Sequence, residues 1–155
     1  MSLISSLLSP SSVLVDLPAG DKSAVFEQVA ALLEHRTGIK RGLILDSLLA
    51  RERMGSTGLG HGIAIPHGRV RGLREAVGAL VRTHQPIAFD APDEQPVSLI
   101  FVLLVPDKST DIHLEILSEL AEMFSNRELR AQLAAAPDPL AAHRVIARWD
   151  ARAAH

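Results

Sequence analysis

The stretch Val97 to Val105, Val-Ser-Leu-Ile-Phe-Val-Leu-Leu-Val, constrains the fold more than any other part of the sequence. It is apolar at odd and even positions alike, so as a strand it must be covered on both faces. It is also about half the length that crossing a bilayer requires, and Ser98 interrupts it. The run is therefore expected to be the buried central strand of a sheet with helices on both sides. The pattern around it agrees. From Asp21, a good N-cap residue, Val25, Phe26, Val29, Leu32 and Leu33 recur at helical spacing as far as Gly38. Ile44, Leu45, Leu48 and Leu49 repeat the pattern and end in Arg51-Glu52-Arg53 before Gly55. Val13 to Val15 and Val77 to Val81 are shorter strand candidates, with Pro86, Pro92 and Pro96 punctuating the connection to the central run. Ser109-Thr110-Asp111 offers capping chemistry for a helix carrying Ile112, Ile116, Leu117, Leu120 and Phe124, and two further helices are expected over 126–135 and 138–149.

These elements predict an α/β fold: a single-domain sandwich with a small mixed central sheet flanked by helices. A chain of 155 residues, 47% of them hydrophobic, supplies one sizeable core and not two. Residues 1–155 are thus expected to form one domain, with 1–9 and 151–155 peripheral. The formal net charge is −2 and the charges are dispersed, which argues against nucleic acid as a partner. No basic residue precedes the apolar residues of the N-terminus, so no secretory signal or membrane insertion is expected, and the cytoplasm is the default location. The absence of cysteine removes disulfides, thiolate metal sites and thiol nucleophiles, leaving the seven histidines to supply any nucleophilic nitrogen.

One segment reads unlike core. Ser56-Thr57-Gly58-Leu59-Gly60-His61-Gly62 is a glycine-rich loop, and Ile63-Ala64-Ile65-Pro66-His67-Gly68 ends in a histidine between proline and glycine. Proline holds its own φ and extends Ile65, while Gly68 leaves room beside the ring. A neutral imidazole so held is a competent nucleophile near neutral pH, and a phosphorylated ring nitrogen passes its phosphoryl group on. A histidine that merely ends a strand is the competing reading. Arg51, in the last helical turn, is a candidate to neutralise a phosphoryl dianion, although basic residues favour that position for dipole reasons alone. Ser56 and Thr57 are candidate hydrogen-bond donors to phosphate oxygens, or ordinary loop residues. His113, in the first turn of its helix, is suited to donating to an anion near a positive helix end, or to lying half in solvent. His35, His84, His143 and His155 are assigned to the surface or termini. A metal site built from His61, His67, His113 and Asp111 matches no compact zinc spacing, and the loop is neither a P-loop nor a dinucleotide fingerprint. No metal and no cofactor is expected.

The string from Arg51 to Gly68, Arg-Glu-Arg-Met-Gly-Ser-Thr-Gly-Leu-Gly-His-Gly-Ile-Ala-Ile-Pro-His-Gly, resembles the active-site signature of fructose/mannitol-type enzyme IIA domains of the bacterial phosphotransferase system. Pro86-Ile87-Ala88-Phe89-Asp90, Gln95-Pro96-Val97, Leu103-Leu104-Val105-Pro106 and His113 with Leu117 and Leu120 resemble its nitrogen-regulatory branch, and the similarity spans nearly the whole chain. Gly55, Leu59 and His61 are small departures that remove no functional group. The resemblance implies a phosphotransferase-system IIA type-2 domain. It also implies a phosphoryl group received on His67 from an HPr-like phosphocarrier protein of NPr type, with Arg51 and His113 in support. The nitrogen branch would then signal to regulatory target proteins through its phosphorylation state. A sugar-specific relay would pass the group to a IIB domain instead, and a non-catalytic binding module would do neither.

Overall fold

The computed structural model describes residues 4–108 and 111–153, except for the side chains of 111, 112 and 151–153. The elements run β1 (Val13–Leu17), α1 (Lys22–Thr37), α2 (Arg41–Arg53), β2 (Gly58–Gly60), β3 (Ile63–Ala64), β4 (His67–Val70), β5 (Val77–Ile87), β6 (Val97–Pro106), α3 (Asp111–Ser125), α4 (Arg127–Ala135) and α5 (Pro139–Ala153). They form the mixed α/β sandwich that the sequence pattern predicts. Among the described residues no helix is long and apolar enough to cross a membrane.

The central run is the hub of the sheet. On one edge β6 pairs antiparallel with β5, which pairs parallel with β1; on the other it pairs parallel first with β3 and then with β4. Strand alternation sends its residues to two cores. Leu99, Phe101, Leu103 and Val105 pack with Ile116, Leu120 and Phe124 of α3 and with residues of α4 and α5. Ile100, Val102 and Leu104 pack with Phe26 and Leu33 of α1 and Ile44 and Leu48 of α2. Burial of both faces is why this strand carries no polar alternation.

Local chemistry ends the helices where expected. Asp21 accepts from the Ala24 N–H at 2.8 Å, and Gly38 closes α1 in the left-handed conformation, φ 79°. Asn126 and Asp138 accept from Leu129 N–H at 2.9 Å and Ala141 N–H at 2.8 Å at the starts of α4 and α5. The cap expected from Ser109-Thr110-Asp111 lies outside the described residues and side chains. Trp149 and Asp150 lie within α5, which continues to Ala153; 154–155 are outside the described residues.

Three expectations change. The opening residues are not peripheral: Ile4, Leu7 and Leu8 are buried in the core beside α5, and Arg36 ties Leu7 O and Ser12 Oγ to Gly78 O. Their apolar side chains cover sheet that would otherwise meet water. Strand β5 runs on to Ile87 and takes in Pro86, which a regular ladder would exclude; the register with β6 slips between Arg82 and Ile87, so the missing N–H breaks no regular pairing. His143 is not a free surface residue, because its Nε2 lies 2.9 Å from Leu8 O.

Gly68 has a different purpose from the one its sequence position suggests. It sits on the α2 side of β4, where a Cβ would collide with Ser47 Oγ and press on Ser47 Cβ. Ser47 Oγ in turn donates to Arg69 O at 2.8 Å. Gly68 therefore sets how closely the strand bearing His67 approaches α2. A Gly68→Ala substitution is expected to lower stability by about 1–3 kcal/mol through overpacking, with a partial recovery in the Ser47→Gly background. Urea unfolding of the two variants and the parent checks this; an unchanged midpoint in Gly68→Ala would show that the contact is loose.

Candidate active site

Alternation along 63–70 decides which side chains meet. Ile63 and Ile65 belong to the core on the α3 side of the sheet, whereas Ala64 and Val70 belong to the α1/α2 side. His67 has the phase of Ile63 and Ile65, so it faces α3. Backbone pairing holds it there: the Leu103 N–H donates to Pro66 O at 2.9 Å, and His67 is in register with Leu103. His113 comes from the first turns of α3, and the two imidazoles meet edge to face with centroids 5.5 Å apart at 74°.

The ring of His67 is fixed as well as placed. Its Nδ1 is 2.9 Å from Ile65 O. A carbonyl oxygen only accepts, so Nδ1 carries the proton and Nε2 holds the lone pair. Burial pushes the His67 imidazolium below its ordinary pKa. The Ile65 carbonyl works against this, the Arg51 guanidinium adds to it, and Glu52 opposes it more weakly. Desolvation thus wins, and the ring is a neutral base. His113 is displaced the same way, first by burial and then by His67 and Arg69. Its Nδ1 is buried and has no hydrogen-bond partner, which leaves a polar atom beside His67 awaiting one.

A hollow of about 360 Å³ opens over His67, walled by Arg51, Ser56, Thr57, Leu59 and, from α3, Leu117. Arg51 lies in the last turn of α2 and donates to Gly55 O at 2.9 Å, which holds its guanidinium over the loop. Ser56 and Thr57 reach the hollow but do not have the expected free hydroxyl protons. Ser56 Oγ donates to Phe89 O at 2.8 Å and accepts from the Gly58 N–H, and Thr57 Oγ1 donates to Glu52 Oε1 at 2.6 Å. Both residues shape the loop. The hydroxyl of Thr57 is buried with its residue, so its bond to Glu52 replaces water.

Glu52 is the residue that sequence reasoning missed. Its carboxylate is nearly buried, accepts from the Thr57 N–H at 3.1 Å and Lys22 Nζ at 2.8 Å, and thereby locks the loop onto α1 and α2. A signal was present: an acidic side chain in the last turn of a helix opposes the helix dipole, so it needs another reason to be there. His61, by contrast, stands apart. It lines a separate cleft with His84 and Arg82, and the described residues contain no group of three or more His, Cys, Asp or Glu able to hold a metal ion. The site thus joins His67, His113 and Arg51, and leaves His61 out.

Residues 6–149 match the family described as phosphoenolpyruvate-dependent sugar phosphotransferase system, EIIA 2. The nitrogen regulatory protein of Pseudomonas aeruginosa is 40% identical over 141 residues, covering 90% of this chain and 92% of its own. The crystal structure of the nitrogen regulatory protein IIA-Ntr from Neisseria meningitidis superposes with a TM-score of 0.88 at 44% identity, over 93% of this chain and 99% of that one. Enzyme IIA for mannitol from Escherichia coli, solved in complex with phosphorylated enzyme IIB, shares the fold at a TM-score of 0.76 with 15% identity, over 90% of this chain and 96% of that one. With the match spanning almost the whole chain, the protein belongs to the EIIA 2 family of the phosphotransferase system, in its nitrogen-regulatory branch, as a phosphocarrier and regulatory component.

Proposed function

We propose that His67 Nε2 is the phosphoryl acceptor, that the donor is the phosphohistidine of an HPr-like carrier of NPr type, and that the phosphorylation state of His67 is the regulatory signal. The hydrogen bond from His67 Nδ1 to Ile65 O carries this reading, because it leaves the Nε2 lone pair free on a neutral ring. In the transfer, that lone pair forms a bond to phosphorus as the carrier's N–P bond breaks in line; the bonding electron pair stays on the carrier's ring nitrogen, which draws its proton from water while His67 keeps the proton on Nδ1. The phosphoryl charge meets the Arg51 guanidinium, and an oxygen of the group satisfies the buried ring nitrogen of His113. Ser56, Thr57 and Gly68 support the group indirectly, by holding the loop and the strand.

Leu59, which lines the hollow, is 46% exposed; Met54, just after the helix that carries Arg51, and Leu114, next to His113 on α3, are exposed by 83% and 66%. Large exposed apolar side chains close in sequence to the residues of one reactive site suit a transient protein partner. The donor would dock there, and so would regulatory targets that distinguish a neutral from a doubly charged His67. The enzyme IIA of Escherichia coli solved with phosphorylated IIB supports a IIB domain as the alternative recipient. A relay between such carriers works in the cytoplasm, with residues 1–155 acting as one unit.

Incubation with phosphoenolpyruvate, enzyme I and an active HPr-type carrier is expected to add one phosphoryl group, lost in acid and absent in His67→Ala, as read by intact mass at neutral or alkaline pH. An adduct that persists in His67→Ala would overturn the assignment. Arg51→Ala should slow the transfer by about tenfold or more, since a lost charge-assisted contact is worth roughly 1.5–3 kcal/mol. Leu114→Asp should slow it without altering the melting temperature; an unchanged rate would move the docking face elsewhere.

The two histidines also predict a pH response. Each binds a proton more weakly when folded than when unfolded, so the unfolded chain binds more protons and stability rises with pH in this window. Their contribution is complete above the ordinary imidazole value of about 6.5 and is lost progressively as pH falls below it. Nitrogen-detected NMR titration should give His67 a midpoint below that value, with the proton on Nδ1 in the neutral form. A normal midpoint would contradict the lowering by burial, and a midpoint well above about 7 would contradict the neutral nucleophile.

A further inference from the structure

A second cleft, about 610 Å³ and larger than the hollow at His67, lies toward the other end of β6. Its wall includes Ile63, in register with Leu99, whereas His67 is in register with Leu103, so the two sites are separated by about four strand residues, roughly 13 Å. The sheet is irregular here. Asp16 and His61, both lining the cleft, hold left-handed backbones at φ 54° and 56° without being glycine. The β1–β5 register slips between Leu14 and Leu17, and the β5–β6 register slips between Arg82 and Ile87. Strained residues and bulges gathered at one cavity are features that recur at ligand sites.

The charge of the cleft is one-sided. Arg82, Arg127 and Arg130 face it against a single carboxylate, Asp16, with the imidazoles of His61 and His84 beside them. Two of the guanidiniums are anchored. Arg82 Nη1 donates to Leu133 O at 2.8 Å and Ala136 O at 2.7 Å, with its Nη2 3.6 Å from Asp16, and Arg130 Nη1 donates to Phe124 O at 2.9 Å. Each guanidinium has five N–H groups, so Arg130 keeps donors in reserve, while Arg127 and the two imidazoles have no partner among the described residues. Ile63, Leu99, Ala131 and Ala134 supply an apolar wall, and Ser98 adds a hydroxyl. The volume falls within the range of small-molecule sites.

We propose that this cleft binds a small organic anion with a dianionic head group, a phosphomonoester or a dicarboxylate, held by Arg127, Arg130 and the imidazoles of His61 and His84, with its organic body against Ile63, Ala131 and Ala134. The guanidinium of Arg130, anchored on Phe124 O, together with that of Arg127 and an apolar wall in the same cleft favours a head group with an attached body over a bare ion. The site is separate from the phosphoryl-transfer centre and does not depend on it.

The test is a titration of the full chain, followed by amide NMR, with glycerol 3-phosphate, adenosine 5′-monophosphate, malate and inorganic phosphate as probes. At least one organic probe should give saturable shifts centred on Gly62, Ile63, Thr83 and Ser98, and inorganic phosphate should bind more weakly. Whether a phosphomonoester or malate saturates first identifies the head group. Arg127→Ala and His61→Ala, both at exposed positions, should weaken binding about tenfold or more while His67→Ala leaves it unchanged. The proposal fails if no organic probe saturates below about 10 mM, a limit of roughly 3 kcal/mol in affinity. It also fails if shifts centre on His67, or if Arg127→Ala and His61→Ala bind like the parent.

Discussion

The pairing of one edge of β6 with two successive short strands governs the rest of the molecule. Where a single long strand could have run beside β6, the chain lays down β3, crosses Ile65 and Pro66, and starts again as β4. The break is stitched at both ends, by Ser98 and Leu99 N–H groups donating to Gly62 O and by the Leu103 N–H donating to Pro66 O. Between these anchors the Ile65 carbonyl is left off the ladder with β6 and is free to accept from His67 Nδ1. A regular strand would have used that carbonyl in the sheet or turned it away. The tautomer of His67 is thus a consequence of sheet topology, and Pro66, lacking an N–H, makes the interruption natural.

The same pairing fixes the company His67 keeps. Because strand residues alternate, moving the register by one position would turn His67 toward α2, into the space that Gly68 leaves for Ser47, and take it away from His113. Two apolar cores, one on each face of β6, make such a slip costly, since every buried Leu, Ile, Val and Phe of the strand would change sides. The core therefore specifies the site at long range: it is the packing of Phe101 and Leu103 under α3, and of Ile100 and Val102 under α1 and α2, that holds two imidazoles edge to face.

Much of this was legible in the sequence. The nine-residue apolar run announced a central strand with two covered faces, the helical repeats of α1 and α2 followed from spacing, and the Asp21 cap of α1 followed from residue type. His67, Arg51 and His113 were readable because proline, glycine and helix ends have few backbone options and because the signature string is long. What was not legible depended on tertiary partners. Ile4, Leu7 and Leu8 look like a peripheral segment until α5 and the sheet are present to cover them. Pro86 looks like a strand terminator until the β5–β6 register is known to slip around it. The hydroxyls of Ser56 and Thr57 look available until Phe89 O and Glu52 are seen to take their protons. Local sequence fixes what a group can donate or accept; only the fold decides who receives it.

Glu52 shows how these levels combine in the electrostatics of the site. A carboxylate beside the proposed phosphoryl acceptor would be unfavourable to the product, which would gain about 1.5 to 2 negative charges. Its charge is offset where it lies, by Lys22 Nζ at 2.8 Å, and its oxygens are held by Thr57, so it acts on the loop at close range and on His67 only weakly. Arg51 has no carboxylate partner among the ion pairs of the described residues and acts on His67 more strongly than Glu52 does. Adjacent residues on one helix end thus divide the work. One is neutralised and builds the loop; the other stays uncompensated and keeps the field around His67 positive. That field helps hold the imidazole neutral, and under the proposed transfer it would also meet the added negative charge, so Arg51 would favour both the reactive form of the acceptor and its phosphorylated product.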